Sequence, residues 1–110
     1  MQFTVTETEN RLVITVAEAR IDAAIATRFK DKLREVVLRH RKPVEMLMGA
    51  VDFMDSSGLG AMIAVRKALP DNLPLVLKDL TPNVERVFRL TRMDTVFDIR
   101  PAAADEEQTE

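Results

Sequence analysis

Hydrophobic and polar residues alternate strictly in two short segments near the start of the chain. The apolar positions of these segments are Phe3, Val5, Leu12, Ile14 and Val16. A period of two is typical of β-strands that bury one face. Glu9 and Asn10 between the two segments favour a tight turn. The sequence therefore predicts an antiparallel hairpin at the start of the chain.

From residue 22 the hydrophobic period changes to that of an amphipathic α-helix. Its apolar face comprises Ile25, Phe29, Leu33, Val36 and Val37. We expect the helix to begin near Asp22, to continue to about His40 and to end before Pro43, whose ring cannot continue a helix. We expect His40 to have a structural role, as a partner of the helix dipole or as a packed ring.

The second half of the chain alternates short apolar runs with further helical segments. Residues 44–48 and 75–77 are mostly apolar and too short for helices, which favours buried strands. Another apolar run ends at Asp55 and is followed by a helical segment from Ser57 to about Leu69. That segment is apolar or small on nearly every side, which predicts a helix that is deeply buried or partly covered by a partner.

Local signals mark the last helix and strand. Thr81 is a favourable N-cap residue, and Pro82 is preferred at the first helical position. The inner face of this helix comprises Val84, Val87, Phe88 and Thr91. Residues 96–99 predict a final edge strand. Residues 101–110, rich in alanine and acidic residues, are expected to form a disordered tail, which leaves residues 1–100 as a single domain.

Strands separated by helices predict βαβ units with right-handed crossovers. The predicted fold is therefore an α/β fold with about three helices and a mainly parallel sheet, which the opening hairpin makes mixed. Functional groups of such sheets lie beyond the carboxyl ends of the strands. Asp55 follows one such end, and the loop that carries Asp22 is expected to reach the same edge.

Composition narrows the class of molecule. At 110 residues with 46% hydrophobic content, the chain is long enough for one compact core. The absence of cysteine excludes disulfides, thiolate catalysis and cysteine-ligated zinc. A single histidine argues against a metal cluster, and we expect neither a metal nor a cofactor.

Charge and hydropathy argue against nucleic-acid and membrane partners. The formal net charge is −2, and four acidic residues follow Arg100, so residues 1–100 carry about +2. Aromatic residues make up 5% of the chain, with no Trp or Tyr to stack on bases. The amino terminus lacks the features of a signal peptide, and no run of 18 apolar residues occurs. We expect a cytoplasmic protein without direct membrane contact.

The residues that could carry chemistry cluster around Asp55, at the start of the helix predicted from Ser57 to about Leu69. Unpaired N–H groups and the helix macrodipole would tolerate a phosphate on Ser56 or Ser57. Asp55 and both serines are equally preferred as capping residues, and Gly58 and Gly60 allow close backbone approach, so a purely structural role stays open. A hydrolase is less well supported, because the glycine expected two residues before a nucleophilic elbow serine is a methionine.

Residues 53–60, Phe-Met-Asp-Ser-Ser-Gly-Leu-Gly, closely resemble the signature of the anti-sigma factor antagonists, which are bacterial members of the STAS domain family. Residues 20–22, Arg-Ile-Asp, together with Ala26 are similar to the family's segment before its first helix. Residues 84–91 resemble its last helix. The resemblance covers most of the chain and leaves out only the termini.

The resemblance implies that Ser56 accepts a phosphate, with Ser57 as its neighbour. The unmodified protein would bind an anti-sigma factor that is itself a serine kinase of the GHKL type, and this would release the sigma factor. Phosphorylation would end the interaction, and a metal-dependent serine phosphatase would restore it. The protein would then be a substrate of both enzymes, a monomer or weak dimer, and not an enzyme itself. The residues implied in partner binding are Asp22, Asp55, Ser56, Ser57, Gly58, Leu59 and Gly60.

The chain departs from the family pattern at two positions. Leu47 stands where the family commonly has a polar residue, usually Asp, and Ala19 stands where it commonly has Gly. Asp22 and Asp55 are conceivable as a magnesium pair, but without phosphate groups to share the ion we favour loop and cap roles. The alternative function is a STAS scaffold subunit of a larger sensory or lipid-transport assembly. Such modules can lack an acceptor serine, so Ser56 favours the phosphorylation switch.

Overall fold

The structure is a computed structural model, and it describes residues 3–101. The strands in this range are β1 (Phe3–Glu7), β2 (Leu12–Val16), β3 (Arg20–Ile21), β4 (Val44–Leu47), β5 (Phe53–Met54), β6 (Leu75–Lys78) and β7 (Asp98–Arg100). The helices are α1 (Ala26–His40), α2 (Ser56–Ala68) and α3 (Pro82–Leu90), with a short 3₁₀ helix at Met93–Thr95. Apart from Pro101, the tail predicted for 101–110 lies outside the described residues.

A five-stranded sheet forms the centre of the molecule, with the strand order β1-β2-β4-β6-β7. The β1–β2 pair is antiparallel and the remaining pairs are parallel. A second, two-stranded parallel sheet pairs β3 with β5. The predicted α/β fold, with its antiparallel opening hairpin and mainly parallel sheet, is therefore confirmed.

The core lies between one face of the large sheet and the helices. From β2 onward, each strand of this sheet is added on the same side of the preceding one, so right-handed crossovers place α1, α2 and α3 on one face. On that face Ile14, Met46 and Leu77 are neighbours in register and have no solvent exposure. Glu45 and Leu47, which flank Met46 on β4, are half-buried and point to the opposite face of the sheet.

The start of α1 lies four residues later than the sequence predicted. The carbonyl of Asp22 accepts hydrogen bonds from the N–H groups of Ile25 (3.1 Å) and Ala26 (2.9 Å), and its Oδ1 accepts one from the N–H of Ala24 (3.1 Å). Asp22 therefore closes a turn of its own before the helix begins. The helix ends as predicted, since Arg41 adopts the left-handed conformation (φ 51°) two residues before Pro43.

The end of the chain differs from the prediction in its boundaries. The last strand begins at Asp98, two residues later than predicted, because the 3₁₀ helix directs Val96 into solvent and Phe97 into the core. The Phe97 ring meets that of Phe88 edge to face, with 5.4 Å between the ring centroids. Thr81 caps α3 as predicted, since its hydroxyl accepts a hydrogen bond from the N–H of Val84.

His40 has a structural contact at the end of α1. Its Nδ1 lies 3.2 Å from Oε2 of Glu7 on β1, and the Nζ of Lys42 lies 2.9 Å from the same oxygen. The hydrogen bonds from Lys42 and then His40 hold the pKa of the Glu7 carboxyl below its ordinary value. This cluster ties the outer strand to the carboxyl end of α1.

Candidate functional site

The small β3–β5 sheet positions the start of α2. Ile21 and Met54 are paired in this sheet and are buried, which fixes the segment that leads into the helix. The carbonyl of Ala19 accepts hydrogen bonds from the N–H groups of Asp52 (2.8 Å) and Phe53 (3.1 Å). The segments that precede α1 and α2 therefore lie side by side.

Asp55 joins these two segments with one carboxylate. It is the N-cap of α2, with an extended backbone, and its Oδ1 accepts a hydrogen bond from the N–H of Gly58 at 3.0 Å. Its Oδ2 accepts a second hydrogen bond, from the N–H of Ala23 at 3.3 Å. The structure thus brings the loop after Asp22 against the start of α2, as the topology predicted.

Ser56 and Ser57 are the first two residues of α2, and both are exposed. Among the hydrogen bonds formed within residues 3–101, none involves either hydroxyl. Because Asp55 supplies the side-chain cap, capping does not account for the serines. Both hydroxyls are therefore presented to solvent at the positive end of a helix.

The two glycines of the octapeptide have different environments. A Cβ on Gly58 would lie 2.2 Å from the carbonyl oxygen of Ile21 and 2.9 Å from Cγ of Met54, so only glycine fits between β3 and α2. A Cβ on Gly60 would meet nothing within 4 Å. Internal packing therefore requires Gly58 but does not require Gly60.

The residues predicted to bind a partner divide into a surface layer and a supporting layer. Ser56, Ser57 and Gly60 are exposed, and Asp22 and Asp55 are half-buried. Leu59 and Gly58 are buried beneath them. The structure places all seven around the start of α2, and their role in binding a partner stays a prediction.

A shallow groove between α1 and α2 begins beside this surface. It has a volume of about 330 Å³. Thr27 and Ala23 line one side, Ser57 and Gly60 line the other, and Lys30 contributes its basic lining residue. The small side chains leave the rim of α2 accessible next to Ser57.

Sequence reasoning missed a contact between Arg20 and Phe53. These residues face each other in the β3–β5 pair, and the Arg20 Cζ lies 4.2 Å from the centre of the Phe53 ring. Arg20 also forms a long ion pair with Asp22, with 3.5 Å between Nε and Oδ2. Two-residue strands carry no periodicity, so nothing in the sequence indicates that the two side chains meet.

The two departures from the family pattern leave the local backbone intact. The backbone carbonyl of Ala19 accepts the hydrogen bonds from Asp52 and Phe53, and alanine supplies this carbonyl as well as glycine does. Leu47 lies half-buried on β4, on the sheet face opposite the helices. Neither residue takes part in the hydrogen bonds of the Asp55 carboxylate, which come from Ala23 and Gly58.

The carboxylates at the site have turn and cap roles. Asp22 accepts a backbone N–H group in the turn before α1, and Asp55 accepts two at the start of α2. Over residues 3–101 no group of three or more His, Asp or Glu side chains is arranged to hold a metal ion. In the same range, no helix combines the length and the hydrophobicity needed to span a bilayer.

Comparison with known proteins places these features in a family. The family model of the STAS domain matches residues 2–106. An anti-sigma factor antagonist from Mycobacterium paratuberculosis is 23% identical, with a TM-score of 0.82, and the match covers 98% of this chain and 92% of that one. A STAS domain anti-sigma factor antagonist protein from Planctomyces limnophilus is 17% identical, with a TM-score of 0.80 and coverage of 96% and 93%.

A third solved structure is the Bacillus cell fate determinant SpoIIAA in its phosphorylated form. It is 18% identical, with a TM-score of 0.71, and the match covers 98% of this chain and 97% of that one. The shared fold extends over nearly the whole of each protein. Since the family model also spans nearly all of the sequence, the chain belongs to the STAS domain family.

Proposed function

We propose that this protein is an anti-sigma factor antagonist that is switched by phosphorylation of Ser56. In its unmodified form it binds an anti-sigma factor, a serine kinase of the GHKL type, and thereby releases a sigma factor in the cytoplasm. The kinase transfers the γ-phosphoryl group of ATP to the Ser56 hydroxyl and ends the interaction. A metal-dependent serine phosphatase removes the phosphate and restores binding.

The accessibility of Ser56 carries this proposal. Its side chain is exposed at the first position of α2, while Asp55 performs the capping. A kinase can therefore reach the hydroxyl without unfolding the helix, and the helix does not depend on that hydroxyl. The Bacillus cell fate determinant SpoIIAA, which has a similar fold and is known in a phosphorylated form, supports phosphorylation as the kind of modification.

Electrostatics explain how the modification would act. A phosphate adds roughly −1.5 to −2 charge and three acceptor oxygens. The helix end offsets this charge by about 0.3–1 kcal/mol within the folded protein, so the fold survives. At the interface the phosphate would be desolvated beside Asp55 and Asp22, at a cost of about 2–5 kcal/mol. Binding would weaken by about 30-fold to several thousandfold.

The test is phosphorylation with matched serine variants. The full chain is incubated with ATP and the serine kinase, and the modified residue is located by mass spectrometry. Ser56→Ala should abolish labelling, whereas Ser57→Ala should retain it. Ser57→Ala is the matched control, because Ser57 is also exposed and is the next residue along the chain. Labelling that persists in Ser56→Ala, or that is found on Ser57 in the wild-type chain, would overturn the assignment.

A further inference from the structure

The Arg20 side chain stacks on the Phe53 ring close to the proposed acceptor serine. Residues Ile21 and Met54 of the β3–β5 pair point into the core, so their neighbours Arg20 and Phe53 point outward. Phe53 is 38% exposed, and the Arg20 side chain is 61% exposed. Among the large exposed hydrophobic residues of the described chain, Phe53 is the aromatic one.

The stacked pair is held rigidly relative to Ser56. Phe53 lies three residues before Ser56, and its N–H group donates a hydrogen bond to the carbonyl of Ala19. The N–H of Asp55 lies 3.4 Å from the carbonyl oxygen of Ile21, next to Arg20. A partner that contacts both the Ser56 hydroxyl and the stacked pair therefore meets them in a fixed arrangement.

We propose that the Arg20–Phe53 pair is a docking contact for a carboxylate side chain of the kinase that phosphorylates Ser56. This inference rests on the proposed function. The guanidinium Cζ lies over the ring, 4.2 Å from its centre, and within residues 3–101 the polar contact of this group is the long Nε bond to Asp22. Its Nη groups can donate two parallel hydrogen bonds to a carboxylate. Aromatic and arginine side chains are enriched in protein interfaces, and arginine is enriched among the residues that carry most of the binding energy.

The charges around the acceptor serine limit where a carboxylate of the partner can lie. Asp22 and Asp55 lie at the start of α2, and Asp52 directly precedes β5 beside Asn83; each would repel an acidic group on the partner. Arg20 supplies positive charge at the rim of this acidic surface. A carboxylate on the kinase that lies over the β3–β5 pair meets Arg20 and avoids the three aspartates, so the pair would set the register of docking.

The test compares kinase binding by substituted full-length chains. Phe53→Ala and Arg20→Glu should each weaken binding by about 30-fold, as expected for truncation of an interface hot spot. Arg20→Lys should give an intermediate loss, because lysine keeps the charge but not the planar fork. Arg34→Glu, the same charge change on an exposed part of α1, should bind normally. Circular dichroism and thermal melting verify that each variant is folded.

The kinetics of Ser56 labelling separate docking from phosphoryl transfer. A docking contact should raise KM for the antagonist in Arg20→Glu and Phe53→Ala while leaving kcat nearly unchanged. A kinase variant in which one carboxylate is replaced by arginine should restore binding of Arg20→Glu. Wild-type binding and KM in both variants would overturn this inference alone, provided that Ser56 is labelled.

Other outcomes also decide the question. If the substitutions abolish self-association of the protein and leave kinase binding unchanged, the pair belongs to a contact between two copies and the inference is wrong. If the kinase neither binds the wild-type chain nor labels Ser56, both the proposed function and the docking contact are wrong.

Discussion

Replacing each glycine of the octapeptide by alanine should have opposite effects on stability. In Gly58→Ala the new methyl group would lie 2.2 Å from the Ile21 carbonyl oxygen. The backbone of β3 must retreat by about 0.8 Å to restore even 3.0 Å. That carbonyl also accepts the N–H of Asp55, so the movement weakens the link between β3 and the start of α2.

The magnitude follows from three contributions. Overpacking costs about 1–3 kcal/mol, and the weakened hydrogen bond costs about 1 kcal/mol. The higher helix propensity of alanine returns about 0.5–1 kcal/mol. Gly58→Ala should therefore lose about 2 kcal/mol. Gly60→Ala meets no neighbour within 4 Å and keeps only the gain, about 0.5–1 kcal/mol.

Urea unfolding followed by far-UV circular dichroism measures both effects. For a chain of this size, a loss of 2 kcal/mol lowers the midpoint by about 1 M. Gly60→Ala should raise the midpoint slightly and serves as the matched control, because it is the same substitution in the same helix. A Gly58→Ala variant as stable as Gly60→Ala would refute the packing argument.

Three further predictions concern charge and capping. Ser56→Asp should fold normally and bind the kinase more weakly than Ser56→Ala, because a carboxylate supplies part of the phosphate charge; equal affinities in a titration would contradict the electrostatic switch. Asp55→Ala should lower the free energy of unfolding by about 1–2 kcal/mol, while Asp55→Asn should retain most of the cap; thermal melting that gave equal losses would argue against capping. Because the pKa of Glu7 is lowered in the folded protein, its contacts stabilise the fold at pH values above the ordinary pKa, near 4.5. This stabilisation is lost as the pH falls through the pKa that Glu7 has in the folded state. Urea melts between pH 3 and 7 should therefore show a gap between wild type and Glu7→Gln that closes in acid, and a gap independent of pH would contradict the contact.

The elements with strong local signals could be predicted from the sequence. The opening hairpin follows from strict alternation, and the start of α3 follows from a threonine and a proline whose preferences are local. The change of hydrophobic period after Asp22 predicts a start of α1 that is four residues too early. Only the three-dimensional structure shows that Asp22 closes a separate turn.

Contacts between distant short segments could not be predicted. The β3–β5 pair consists of two residues on each strand, too few to show a period. The stacking of Arg20 on Phe53 depends on that pair, so it was missed as well. Gly58 and Gly60 are chemically identical in the sequence, and only the position of the Ile21 carbonyl distinguishes them. Whether Ser56 is phosphorylated stays a prediction.

The double contact of the Asp55 carboxylate separates the architecture of this region from its proposed regulation. Because that one side chain secures both loops, the next residue along the chain is free to vary without loss of the fold. A lineage could exchange the serine for an unreactive residue and keep the same docking shape in a permanently active form. Regulated and unregulated modules would then differ by a single codon.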